Sequence, residues 1–138
     1  MSLTYASAVD DILDLLKAAW DPTGYELYFE NTRGANETAQ NPWAETILRH
    51  AAGQQDTLGG VGQRQFLRTG VLITTIHVPY ATGLQSAYAL AKMIADAYEG
   101  VSSPNGVWFR NVRVNEQDRD GSFYRVNVLV DFEYHETK

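Results

Sequence analysis

Along the first twenty residues, apolar positions recur at helical spacing. Tyr5, Val9, Ile12, Leu13, Leu16 and Trp20 fall at steps of three, four and seven, with Asp10, Asp11, Asp14 and Lys17 between them, the pattern of an amphipathic helix. Its acids sit mostly in the early turns, a favourable place near the positive end of the helix dipole, and Pro22 with Gly24 stops it near Trp20. The period then changes. The stretch YELYFEN, Tyr25 to Asn31, reads as an aromatic strand, and WAETILRHA, from Trp43, as a second. The longest run is QFLRTGVLITTIHVPYATG, Gln65 to Gly83, a strand closed by Pro79. Phe66, Leu72, Ile76 and Val78 point to one side of it, and Leu67, Val71 and Ile73 to the other.

A second helix is expected over Leu84 to Glu99. Its stripe is Leu84, Tyr88, Ala91, Ala95 and Tyr98, widened by Ala87 and Ile94. Two strands follow, GVWFRNVRV and SFYRVNVLVDFEY, joined by NEQDRDG; in the last, Tyr124, Val126, Val128, Val130, Phe132 and Tyr134 share one face. The order α-β-β-β-α-β-β predicts an α+β fold, with the helices segregated onto one face of a largely antiparallel sheet.

The chain has 138 residues, 44% hydrophobic and 12% aromatic. That length suits a single domain spanning 1–138 with a sizeable core. No run of about 18 apolar residues is present to cross a bilayer as a helix, so no membrane partner is expected. The absence of cysteine excludes a disulfide framework and thiolate chemistry. The start MSLTYASAVDD lacks the basic and apolar regions of a secretory signal; synthesis and retention in a cytoplasm are expected. A net charge of −6 disfavours sequence-blind gripping of nucleic acid, which needs a basic face to release counterions.

The residues offer little chemistry. His50, His77 and His135 are scattered, with no H-x-H or H-E-x-x-H spacing, and read as paired or surface histidines. LGGVGQR is glycine-rich but lacks both the phosphate-loop pattern and the helix that should follow; a hairpin tip accounts for it better. EQDRDGSFYRVN begins like a calcium loop, yet its twelfth position is Asn127 rather than a bidentate glutamate, so an acidic turn is the better reading. Tyr88, Tyr98, Tyr124 and His77 could line a pocket between sheet and helices, but their spacing already matches buried faces. We therefore expect no enzyme, no cofactor and no metal. The polar stretch Asn31 to Pro42 is either a contact arm or a plain solvated loop.

The run FLRTGVLITTIHVPYATGLQSAYALAKMIADAYEG, followed by GVWFRNVRV and SFYRVNVLVDFEY, resembles the tail terminator proteins of long, non-contractile bacteriophage tails. The shared features are an Arg-Thr-Gly near the start of a long strand, a strand-ending Pro79, Gly83 opening an Ala-rich helix that ends in an aromatic, and a closing aromatic hairpin. An N-terminal helix and a Trp-led strand at Trp43 complete the likeness, which covers most of the chain.

The resemblance implies a structural protein of a phage or prophage virion, located at the head-proximal end of the tail and assembled in the host bacterial cytoplasm. It would form a hexameric ring of identical subunits, cap the tail tube to stop its polymerisation, and present a head-attachment surface. Its partners would be itself, the tail-tube protein and a head-tail connector protein, with DNA passing through unbound. The rival readings are a head-closure or tail-tube subunit, or a small α+β ligand-binding domain or enzyme.

Candidate interface residues follow. Leu67, Val71 and Ile73 need a second cover, from a neighbouring subunit or from the N-terminal helix. Arg68 either forks onto a neighbour's carboxylate in the Asp118, Arg119, Asp120 segment, or pairs within its own chain, or stays solvated. Arg33, Glu37 and Trp43 are candidates for contact with the tube.

Overall fold

The computed structural model describes residues 3–29, 42–79, 84–120 and 123–138. Helix α1 spans Tyr5–Trp20 and strand β1 Glu26–Phe29; β2 covers Trp43–Gln55 and β3 Gln65–Pro79; α2 is Leu84–Tyr98, β4 Trp108–Asp120 and β5 Phe123–Thr137. The α+β class and the element order are as expected. The bounds of β3 coincide with the predicted run.

α1 begins on a reciprocal cap. The Thr4 hydroxyl accepts the Ser7 amide at 3.2 Å, and the Ser7 hydroxyl accepts the Thr4 amide at 2.8 Å, which satisfies donors that the first turn leaves open. Contrary to the sequence pattern, no acid lies in the first turn of α1. Asp11 instead ties α1 to the segment before β4, accepting from the Ser103 hydroxyl at 2.7 Å and from the Asn105 side chain at 2.8 Å. At the other end Gly24, at φ 72°, reverses the chain, and the Trp20 indole donates to the carbonyls of Tyr25 and Glu26 at 3.1 and 3.2 Å.

The sheet order is β1-β2-β3-β5-β4. Among the described strand pairs, β1–β2 is parallel and the others are antiparallel. β3 and β5 pair without interruption from Gln65↔Thr137 to Pro79↔Phe123. β4 runs on to Asp120, so most of the expected acidic turn has strand backbone.

One face of the sheet forms the core. Leu72, Ile76 and Val78 of β3 join Val126, Val128, Val130, Phe132 and Tyr134 of β5, beneath Ile12, Leu16 and Trp20 of α1 and Ala87, Ala91, Ile94 and Tyr98 of α2. The Tyr98 hydroxyl, buried between the helices, donates to the Ile12 carbonyl at 2.6 Å. The α2 stripe is rotated slightly from expectation: Leu90 is buried, while Tyr88 is 38% exposed and its hydroxyl bonds the Glu116 carboxylate of β4. Gly70 marks a close approach, because a Cβ there would stand 2.3 Å from the Arg49 carbonyl oxygen and 2.5 Å from the Phe132 ring.

Candidate assembly surface

Both helices lie on the same side of the sheet. Tyr5 of α1 meets His50 edge-on at 4.7 Å and Arg68 at 5.2 Å, and His50 bonds Tyr134 on the core face. α1 is therefore not the cover for Leu67, Val71 and Ile73, which occupy the opposite face. The pairing registers build that face row by row. Ile47, Ile73 and Leu129 form one row and Arg49, Val71 and Asp131 the next; Leu67 stands between Gln54 and His135 further along. Ile47 is 38% exposed, while Leu67, Val71, Ile73 and Leu129 are half-buried by one another and by their neighbours.

Charged pairs flank this apolar row on the β4 side. Arg110 pairs with Glu133, and Arg113 pairs with Asp131 at 3.2 Å. Asn111 sits at φ 51°, a conformation asparagine tolerates better than most residues. It donates to Asp131 at 3.3 Å. Its residue marks a bulge between Arg110 and Arg113, and β2 has a second bulge between His50 and Ala52. Bulges bend and twist a sheet locally. Between them lies a concavity of about 460 Å³, lined in part by Ala51, Thr69, Val71, Arg110, Asp131 and Glu133.

At the far end of the same face Trp43 stacks on His77 at 3.8 Å, with Tyr28 and Phe123 edge-on to it at 5.8 and 6.2 Å. Trp43 is only 4% exposed, and its indole N–H is buried with no hydrogen-bond partner among the described residues. The expected tube contact at Trp43 is thus the centre of an aromatic cluster. His77 also meets Glu45 at 3.2 Å, and His135 meets Asp56 at 3.0 Å.

Arg68 is 7% exposed. Its Nε and Nη2 both donate to Glu136 Oε1, at 3.2 and 3.0 Å, and its guanidinium lies 5.2 Å from the rings of Tyr5 and Phe66. The intramolecular alternative is the one observed. Of the other candidates, Asp118, Arg119 and Asp120 fall at the end of β4, and Arg33 and Glu37 lie outside the described residues. Among the described residues, no group of three or more His, Asp or Glu side chains gathers to hold a metal.

Sequence reasoning missed the buried polar group around Arg68, although strand alternation carried the signal. Arg68 shares parity with Leu72 and Ile76, and Glu136 shares parity with Tyr134, so both fall on the core face. His50 completes the group, 2.8 Å from the Tyr134 hydroxyl. Burial, then the Arg68 charge, lowers the His50 pKa below its usual 6.5, and burial first of all raises Tyr134 to about 12.

Below 6.5 the unfolded imidazole takes up a proton before the folded one does, so the His50 contribution is present above that value and is lost as pH falls through the lowered folded value. Urea midpoints measured from about pH 7.5 to about pH 5.5 should fall more for the wild type than for His50→Gln, which keeps a partner for Tyr134 but does not titrate.

No family model matches the chain, and no curated protein matches it in sequence. Solved structures do match. A chain of the virion of a native gene transfer agent (GTA) particle superposes with a TM-score of 0.61, covering 96% of this chain and 99% of that one at 16% identity. The fold is shared with a virion component. A second solved protein, which carries no functional name, superposes with a TM-score of 0.55 over 88% of this chain and 94% of its own, at 17% identity. At these identities the likeness concerns the fold, which covers most of the chain in both comparisons.

Proposed function

We propose that the protein is a tail terminator of a bacteriophage or prophage-derived particle, a non-enzymatic ring subunit that caps the tail tube, stops its growth and offers the head a surface to attach to. The observation that carries this reading is the end-to-end match with a chain of a gene transfer agent virion, 96% of one chain on 99% of the other. The chain's resemblance to tail terminators in its long strand, Ala-rich helix and closing hairpin supports the finer role. So does the sheet face that neither helix covers, with Ile47, Ile73 and Leu129 in one row.

In this reading the open face meets the next subunit. Leu67, Val71 and Ile73 gain their second cover there, and the Asp118, Arg119, Asp120 segment adds polar contacts at the rim. Arg33 and Glu37 are assigned to tube contact. Arg68, neutralised by Glu136 in its own chain, acts on assembly by holding the β3–β5 end rigid. A ring of such subunits is acidic, −6 per copy, so DNA passes its bore without a counterion-release gain.

The test is native mass spectrometry with and without purified tail tubes, together with a tube-capping assay. Six-fold rings that stop tube growth are expected. Incorporation along the tube instead of at its end would assign a tail-tube subunit, and binding to connectors alone would assign a head-closure subunit. A monomer indifferent to tubes would defeat the proposal.

A further inference from the structure

The β2–β3 hairpin continues past the core as an arm. Every residue from Ala51 to Gln63 is exposed, while the ladder still pairs Ala52↔Thr69 through Gln55↔Phe66. The arm ends in a shaped turn: the amides of Asp56 and Thr57 bond the Gln65 carbonyl at 2.7 and 3.4 Å, and Gln63 bonds the Gly60 carbonyl at 3.0 Å. On this turn stand two large apolar side chains, Leu58 at 95% and Val61 at 88% exposure. Isolated exposed apolar residues are ordinary; two together on a turn closed by backbone hydrogen bonds, in a chain that also carries a concavity lined in part by Ala51 and Val71, call for an occupant.

We infer that Leu58 and Val61 of one copy insert into the concavity between the two bulges on the open face of the next copy. This inference rests on the ring reading above and names the two surfaces through which the ring closes. The receiving site has the anatomy of an interface centre. Its floor is Ala51, Thr69 and Val71, and its rim carries Arg110 and Glu133, paired with each other, beside Asp131, matching an apolar middle inside a polar border.

The area also suits a second copy. Leaving out the buried Trp43–His77 end, four strands of roughly 11 residues, at about 3.3 Å rise and about 4.8 Å spacing, present about 700 Å², within one partner's share of a standard interface. A chain cannot fill its own site. The tip lies three ladder steps, about 10 Å, plus the turn beyond the Ala52↔Thr69 pair, and returning would break the ladder. Tip and concavity are different patches on one molecule, so their union is heterologous and propagates until a ring closes.

The experiment uses two variants of the full chain. Leu58→Asp with Val61→Asp spoils the tip. Ala51→Trp, at the extra residue of the β2 bulge, fills the concavity. All three positions are exposed, so urea midpoints should match the wild type. Masses are measured by native mass spectrometry across concentration, with and without tail tubes.

The expected result is that each variant alone requires about tenfold to a hundredfold more protein to assemble, the loss equivalent to one or two buried aliphatic side chains. Mixed one to one, they should give a heterodimer that grows no further, since each supplies one intact surface. Wild-type assembly with both variants assembling equally well would overturn the inference and leave the ring reading standing. Normal rings that no longer cap tubes would show that the tip's occupant is the tube protein, which also overturns it. A wild-type chain that never assembles removes the ring reading, and the inference with it.

Discussion

Replacing Arg68 with alanine is expected to remove about 3–5 kcal/mol of stability, because it leaves the Glu136 carboxylate buried without its partner. Both side chains are close to nine-tenths buried, and two guanidinium nitrogens converge on one oxygen, so solvent can do little to replace the pair. The rings of Tyr5 and Phe66, each 5.2 Å from the guanidinium, lose a contact as well. Urea unfolding followed by tryptophan fluorescence measures the loss. The double variant Arg68→Met with Glu136→Leu should recover most of it, since an apolar pair of similar volume carries no desolvation cost. A single variant as stable as the wild type would mean that the pair is solvated in solution.

Substituting aspartate for Ile47 is expected to abolish ring assembly while leaving the subunit folded. Ile47 is 38% exposed at the head of the row shared with Ile73 and Leu129. A carboxylate there stays hydrated in the free subunit, and the monomer should lose no more than about 1 kcal/mol. In an interface the same carboxylate must give up its water, and Arg113, at the far end of its row beyond Leu129, is already paired with Asp131, so the cost is about 2–5 kcal/mol per contact. At 2 kcal/mol each contact weakens about thirtyfold, and closing a ring multiplies the effect. Sedimentation velocity at matched concentration checks it. Rings of wild-type mass would show that the open face points away from the neighbour.

The local elements were legible because their periods are short-range properties. Alternation from Gln65 to the proline at 79 gave β3 with its bounds, and the three-four spacing from Tyr5 to Trp20 gave α1. Tyr88 shows the limit of that method. Helical spacing allows either Tyr88 or Leu90 on the stripe, and only packing against the sheet, with Glu116 available to the tyrosine hydroxyl, decided for Leu90. The candidate surface was legible by half: Leu67, Val71 and Ile73 were correctly separated from Leu72 and Ile76, but nothing local excluded α1 as their cover.

By itself the sequence determined the element order, the two sides of each strand and the acidic balance, since alternation and charge are written residue by residue. The tertiary structure settled that α1 joins α2 on the one side the element order allowed for both helices, and it alone decided that Arg68 faces Glu136 across 68 positions of chain and that two bulges open a concavity opposite the helices. A period of two distinguishes the faces of a strand without saying which one is covered. That choice depends on register and crossover between segments far apart in the chain, where closing the loop and burying the apolar face are determined together.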